Sequence, residues 1–260
     1  MVFHIDTWLN MAARLCTAIR FLTLIPISWR AQEDAKHFPD SLVFFAVVGI
    51  AIGMFGSFGL VVLSKIFPQS VVAAITITYL AFISGCLHLD GLSDSADGLL
   101  SSRPREDCLR IMKDSRAGAM GIIAIVLVII TKYAALTAMP LEKLPFAVFL
   151  MPVAGRCAIL MAMAFLPYAR MEGGLGALFY SGNSKKAASI SCILFIVCLI
   201  SLAPDAFLPV FLGFVAIIVL FNRWCKAKLG GATGDTLGAL CELTEMIVAV
   251  SLTACISISS

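Results

Sequence analysis

Runs of about twenty apolar residues recur along this chain, separated by short charged loops, and that repetition restricts the fold more than any single motif does. About 20 residues of α-helix cover the ~30 Å of hydrocarbon in a bilayer, where each backbone N–H and C=O must find its partner within the segment. Seven stretches fit: 41–63, 69–89, 117–139, 144–167, 187–203, 206–221 and 237–258. The fifth and sixth are short, which leaves open half-spans or one bent hairpin around Pro204 and Pro209. Composition agrees, with 60% hydrophobic and only 13% charged residues among 260, against roughly 25% charged in a soluble domain. The mean hydropathy is +0.99. The expected fold class is an all-α integral membrane protein, a polytopic bundle of about seven transmembrane helices.

Residues 7–24 set Trp8, Leu9, Ala12, Leu15, Ile19, Phe21 and Leu22 against Arg14 and Arg20 at helical spacing, the pattern of a helix lying in the membrane interface. The first forty residues lack the basic start, apolar middle and small-residue cleavage site of a secretory signal, so no cleavage is expected. No polar segment is long enough to build its own core, so residues 1–260 are expected to form one transmembrane domain, with 1–40 as its interfacial N-terminal segment. Lys and Arg concentrate in the N-terminal segment and in loops 101–116, 168–186 and 222–235, whereas the alternate loops offer Lys65 and Lys143. The positive-inside rule makes the first set cytoplasmic. That predicts an active face toward the cytoplasm, a C-terminus outside and a multi-pass protein of the bacterial inner membrane, with lipid as its surroundings. The same rule accounts for the basic pI of about 8.4, so no nucleic-acid partner is expected. Nine cysteines, with no CxxC pair, are expected to be buried reduced thiols.

The chemistry concentrates in four polar segments. Asp90, Asp94 and Asp97 stand at i, i+4 and i+7, within roughly 60° of one another on a helix face. Three carboxylates so close call for a cation, and hard oxygen ligands suit Mg²⁺ or Mn²⁺ holding a phosphate. Gly91 and Gly98 are expected to open room for a ligand at the flanks. His88, next to the cluster, is either a hydrogen-bonded interface residue or an acceptor of the proton from an attacking hydroxyl. Lys113 and Arg116 are candidates for a diphosphate site, with Asp114 as a further metal ligand. Arg170 adjoins a glycine-rich loop, Glu172 to Gly176, that could equally be a plain connector. In the last polar segment, Lys228, Thr233, Asp235, Glu242 and Glu245 are candidates for substrate binding, with glycines that let backbone N–H groups approach phosphate. Glu242 and Glu245 lie where unpaired carboxylates are costly, so pairing with Lys132 or Arg156 is the structural alternative, and both roles are compatible.

These residues form motifs in a fixed order: Phe21-Leu22-Thr23 to Pro26, HLDGLSDSADG (88–98), IMKDSRAGAMG (111–121), YARMEGGLG (168–176) and KLGGATGDTLGALCELTE (228–245). Through them the chain resembles, almost end to end, the cobalamin synthase family, the membrane adenosylcobinamide-GDP ribazoletransferases of cobamide assembly. The resemblance implies transfer of the cobinamide phosphate from adenosylcobinamide-GDP to a ribose hydroxyl of α-ribazole or its 5′-phosphate, with release of GMP. It also implies Mg²⁺, with Asp90 and His88 as catalytic candidates, and a place among other enzymes of the cobamide pathway. The family looks distantly similar to CDP-alcohol phosphotransferases, but Asp94-Ser95 stands where those enzymes have Ala-Arg, so their catalytic base is not carried over. A UbiA-type prenyltransferase would need a second Asp-x-x-x-Asp run in place of GGATGDTLGALCELTE. A transporter would explain Glu242, Glu245, Lys132 and Arg156, but its polar residues belong near the midplane rather than in loops on one face.

Overall fold

A computed structural model describes residues 2–170, 180 and 183–254. Eleven α-helices occur among them: α1 (Val2–Leu22), α2 (Asp34–Ser41), α3 (Phe45–Leu63), α4 (Gln69–Ile83), α5 (Leu87–Leu99), α6 (Arg105–Ile111), α7 (Ala119–Ala138), α8 (Leu144–Phe165), α9 (Ser184–Leu202), α10 (Phe207–Leu229) and α11 (Gly234–Ala254). No strand is present among the described residues. Six helical segments are long and apolar enough to cross a membrane: 31–63, which includes α2 and α3, and α7 to α11. The chain is a polytopic helical membrane protein. Glu172 to Gly176 and residues 255–258 of the last expected span lie outside the described residues.

The expected span 69–89 is not one helix. It breaks after Ile83, and α4 and α5 meet at 86°. Gly85 and Cys86 both take left-handed backbone angles, φ +60° and +58°, which no α-helix can continue through. A left-handed cysteine is costly on its own. Its place is fixed from outside: the Leu24 N–H donates to the Ile83 carbonyl at 2.8 Å, so the chain leaving α1 seats the end of α4. His88 and Leu89 therefore begin the aspartate helix rather than end a span. The fifth and sixth expected spans are also corrected, to 19 and 23 residues. At 1.5 Å per residue α10 is about 35 Å long, a full crossing. The polar residues that seemed to bound these spans, Ser184 to Lys186 and Asn222 to Lys228, lie inside the helices, where Lys and Arg can keep their stems in apolar surroundings and their heads outside.

Helix α8 is the central post. In it 83% of the apolar window is buried, against 28% in α7, α9 and α10, which present most of their surface outward. Small residues let α3 approach it closely. Buried apolar side chains from α3, α8, α9, α10 and α11 make one continuous cluster. Trp8, Leu9 and Met11 on α1 are exposed. Of the cysteines, Cys108, Cys157, Cys225 and Cys241 are buried, whereas Cys16, Cys86, Cys192 and Cys198 are only half-buried; none of these is in a disulfide.

One end of the bundle is tied together by backbone. The Ala169 N–H donates to the Ala232 carbonyl at 2.8 Å and the Ala232 N–H to the Pro167 carbonyl at 2.9 Å, a single parallel bridge between the segments after α8 and before α11. Arg105 at the start of α6 clamps both sides. Its Nε donates to the Leu229 carbonyl at 2.7 Å and its Nη2 to the Ala169 carbonyl at 2.6 Å. Three loops distant in sequence thus share one face.

Candidate active site

Helix α5 carries Asp90, Asp94 and Asp97, and its contact with α11 brings a fourth carboxylate to them. A Cβ on Gly91 would lie 2.7 Å from the Asp235 carbonyl oxygen, and one on Gly238 would lie 3.2 Å from the His88 Cα. Only glycines permit this approach. Gly98 is used in the same way, since its Cβ would lie 2.4 Å from the Met112 side chain. Gly98 therefore serves packing inside α5, which corrects the expectation that it opens space for a ligand, whereas Gly91 both packs against α11 and borders the apolar cleft described below.

The carboxylates have different duties. Asp97 accepts the Gly118 N–H at 2.7 Å and the Gly121 N–H at 2.9 Å, satisfying free donors at the positive end of α7. Asp235, in the first turn of α11, accepts from Arg170 Nη2 at 2.6 Å. Asp90 and Asp94 accept no hydrogen bond and form no ion pair among the described residues. One guanidinium thus faces three carboxylates, Asp90, Asp94 and Asp235. That deficit of positive charge suits a cation or cationic group, and carboxylate oxygens are donors for Mg²⁺ or Mn²⁺. Among the described residues no three His, Cys, Asp or Glu side chains stand in a ready-made metal geometry. Ligands from substrate and water would have to complete the shell, as Mg²⁺ commonly allows.

Two hollows meet at the Arg170–Asp235 pair, Arg170 lining one and Asp235 the other. A basic depression of 350 Å³ is lined by Arg105, Arg110, Lys113 and Arg170, with Glu106, Leu109 and Ala169. An apolar cleft of 170 Å³ contains Asp90, His88 and Asp235 among hydrophobic residues and glycines. His88 is buried, with its Nδ1 3.7 Å from Cys241 Sγ. It reaches the cleft but touches none of the aspartates through a hydrogen bond.

Other residues singled out from the sequence fall elsewhere. Asp114 forms an exposed pair with Arg116 at 2.7 Å, and the adjacent guanidinium holds its carboxyl down at about 2. The pair binds itself rather than joining the α5 carboxylates. Lys228 donates to the Arg103 carbonyl at 3.0 Å, fastening α10 to the α5–α6 loop. Thr233 is fully buried, and its hydroxyl accepts the Thr236 N–H at 3.2 Å while Thr236 Oγ1 accepts the Thr233 N–H at 2.8 Å. This reciprocal cap starts α11. Glu242 and Glu245 are buried in an ion cluster: Lys132 Nζ donates to Glu242 Oε2 at 2.6 Å and to Glu245 Oε2 at 2.8 Å, and Arg156 Nη1 donates to Glu245 Oε1 at 2.6 Å. The structural alternative for these glutamates is what the geometry shows, and they tie α7, α8 and α11 together. Arg105 escaped the sequence reading because one more Arg in a basic loop looks like the positive-inside signal. Its neighbour Pro104 and the following helix were the available hints.

The chain matches the family described as cobalamin-5-phosphate synthase over residues 14–253. It is 38% identical over 235 residues to an adenosylcobinamide-GDP ribazoletransferase of Acetivibrio thermocellus, covering 89% of this chain and 94% of the relative. It is 34% identical over 232 residues to that of Clostridium acetobutylicum (89% and 92%), and 37% identical over 249 residues to that of Syntrophobacter fumaroxidans (92% and 97%). No solved structure matches it. With the family's extent covering nearly every helix described above, the chain belongs to the cobalamin-5-phosphate synthase family.

Proposed function

We propose that this protein transfers the cobinamide phosphate of adenosylcobinamide-GDP to a ribose hydroxyl of α-ribazole or its 5′-phosphate, releasing GMP. The hydroxyl oxygen forms a bond to the phosphorus attached to cobinamide. The bond from that phosphorus to the bridging oxygen breaks, and GMP leaves with the oxygen and its electron pair. The observation that carries the reading is the junction of the unneutralised Asp90 and Asp94 with the Arg170–Asp235 pair, between a basic depression and an apolar cleft.

Each residue has a task in that scheme. Arg105, Arg110, Lys113 and Arg170 hold the diphosphate by charge, Arg through its planar fork. Asp90, in the cleft wall, takes the proton of the attacking hydroxyl, with His88 as the neighbouring group that orients the acceptor. Asp90 and Asp94, with Asp235 and Asp97 beside them, are the residues that would hold Mg²⁺ or Mn²⁺. When bound, that ion neutralises charge on the transferring phosphoryl group. Asp97 keeps α5 and α7 in register. Arg105 keeps the Arg170 segment against α11.

The basic loops support an orientation of this face toward the cytoplasm of a bacterial inner membrane. Other enzymes of cobamide assembly and the surrounding lipids are its proposed partners. The test is direct: purified protein, adenosylcobinamide-GDP, α-ribazole and Mg²⁺ should yield GMP and a completed cobamide, and the absence of GMP overturns the assignment.

A further inference from the structure

We infer that the apolar cleft beside Asp90 is the seat of the acceptor's aromatic base, a planar and largely apolar two-ring heterocycle, and that Met163 and Ile159 set the size of base accepted. The inference rests on the transferase reading above. The cleft measures 170 Å³, below the roughly 300 Å³ at which pockets for whole small ligands begin, so it takes one ring system and leaves the sugar outside. Its walls include Phe21, Phe45, Ile159, Met163 and Leu237, with the glycines 91, 234 and 238 leaving flat backbone exposed to it. Phe21 and Phe45 are already stacked on each other, centroids 5.9 Å apart and planes 21° apart, which offers an aromatic wall of the kind a planar ring packs against.

Charge decides which base. Among the described residues, the cleft is lined by two carboxylates, Asp90 and Asp235, and by no lysine or arginine. The cations lie on the other side of the Arg170–Asp235 pair, in the basic depression. A guanine tethered to a diphosphate must follow its phosphates to that basic side. A lipid tail entering the cleft would bring a phosphate headgroup toward the two carboxylates. A base on an unphosphorylated sugar meets neither penalty, and its seat in this wall delivers the hydroxyl to Asp90, so α-ribazole is the acceptor this cleft favours over its 5′-phosphate. Among the described lining residues His88 is the one uncharged polar side chain available to a ring nitrogen, so a base rich in donors and acceptors would leave most of them unpaired, at a cost of several-fold to many-fold in affinity.

The experiment measures binding and turnover separately, by titration calorimetry of the purified protein in nanodiscs and by GMP release. Met163→Trp fills the cleft. It should weaken α-ribazole binding at least about tenfold, the scale at which a pocket discriminates one or two carbons, and leave adenosylcobinamide-GDP binding within about twofold. The same variant should tolerate an acceptor with an unsubstituted two-ring base better than one whose ring carries methyl groups. If Met163→Trp fails to elute as a single species, Ile159→Ala, which enlarges the cleft, is the second variant: it should weaken α-ribazole binding and admit bulkier bases. Loss of donor affinity with acceptor affinity intact would place guanine there and overturn the inference. No change in either affinity would leave the cleft to lipid and overturn it too. A wild type that binds α-ribazole but releases no GMP would refute the function while the binding comparison still judges the cleft.

Discussion

Replacing Lys132 by methionine removes one of two cations from a buried cluster that holds two anions. In the wild type the charges of Lys132, Arg156, Glu242 and Glu245 sum to zero, and all four side chains are almost fully buried. In Lys132→Met, Glu242 loses the one cation hydrogen-bonded to it among the described residues, and Glu245 keeps Arg156 at 2.6 Å. Leaving one buried charge uncompensated costs about 3–5 kcal/mol. For a chain of this size each kcal/mol moves the melting midpoint by roughly 2–4 °C, so the expected fall is about 6–20 °C. Lys132→Met with Glu242→Gln restores neutrality around the surviving Arg156–Glu245 pair and should recover most of the loss. Fluorescence-detected size-exclusion after stepwise heating in one detergent measures both. A single variant within ~2 °C of wild type, or a double variant no better than the single, would refute the reasoning that this cluster is a charge-balanced structural tie.

Other perturbations read the site itself. Asp90→Asn and Asp94→Asn should each lower kcat/KM at least about 100-fold, the scale of one preorganised electrostatic element, and EDTA should abolish turnover until Mg²⁺ or Mn²⁺ is restored; full activity in EDTA would exclude the metal. Gly91→Ala drives a methyl group to 2.7 Å from the Asp235 carbonyl oxygen, so α5 and α11 must separate, and turnover should fall about 100-fold, as it does for a ~1 Å misplacement, with the donor still bound. Single cysteines at 104 and 227 should react with an impermeant maleimide only from the cytoplasmic side, and ones at 66 and 142 only from the opposite side; opposite labelling of 104 and 227 would break the shared site.

The transmembrane architecture was legible because twenty-residue apolar runs have almost no other use. What the pattern could not show was backbone handedness: nothing in Ser84-Gly85-Cys86 distinguishes a helix passing through from a left-handed pair that turns it by 86°. Span ends were misjudged where Lys and Arg lie inside helices, since composition marks a loop where geometry makes a helix end. The one-face placement of Asp90, Asp94 and Asp97 followed from 3.6-residue periodicity and α5 bears it out. Their unequal duties did not follow, because Asp97 is claimed by the Gly118 and Gly121 N–H groups, 21 and 24 residues away. The cost of intramembrane carboxylates left two readings of Glu242 and Glu245, substrate binding or pairing with Lys132 or Arg156, and the pairing offered as the alternative is the one the structure shows. Arg105 and the Arg170–Asp235 pair depend on contacts across 64 to 124 residues, and one sequence carries no signal for those.

In the proposed reaction α5 and the start of α11 make one catalytic unit, although they are separated by more than a hundred residues. A double-mutant cycle on kcat/KM for GMP release tests it, using wild type, Asp90→Asn, Asp235→Asn and the double variant in nanodiscs. If Asp90 and Asp235 act together on the same diphosphate, the double variant will be scarcely worse than the poorer single variant. Losses that simply multiply would show two independent sites and contradict the account.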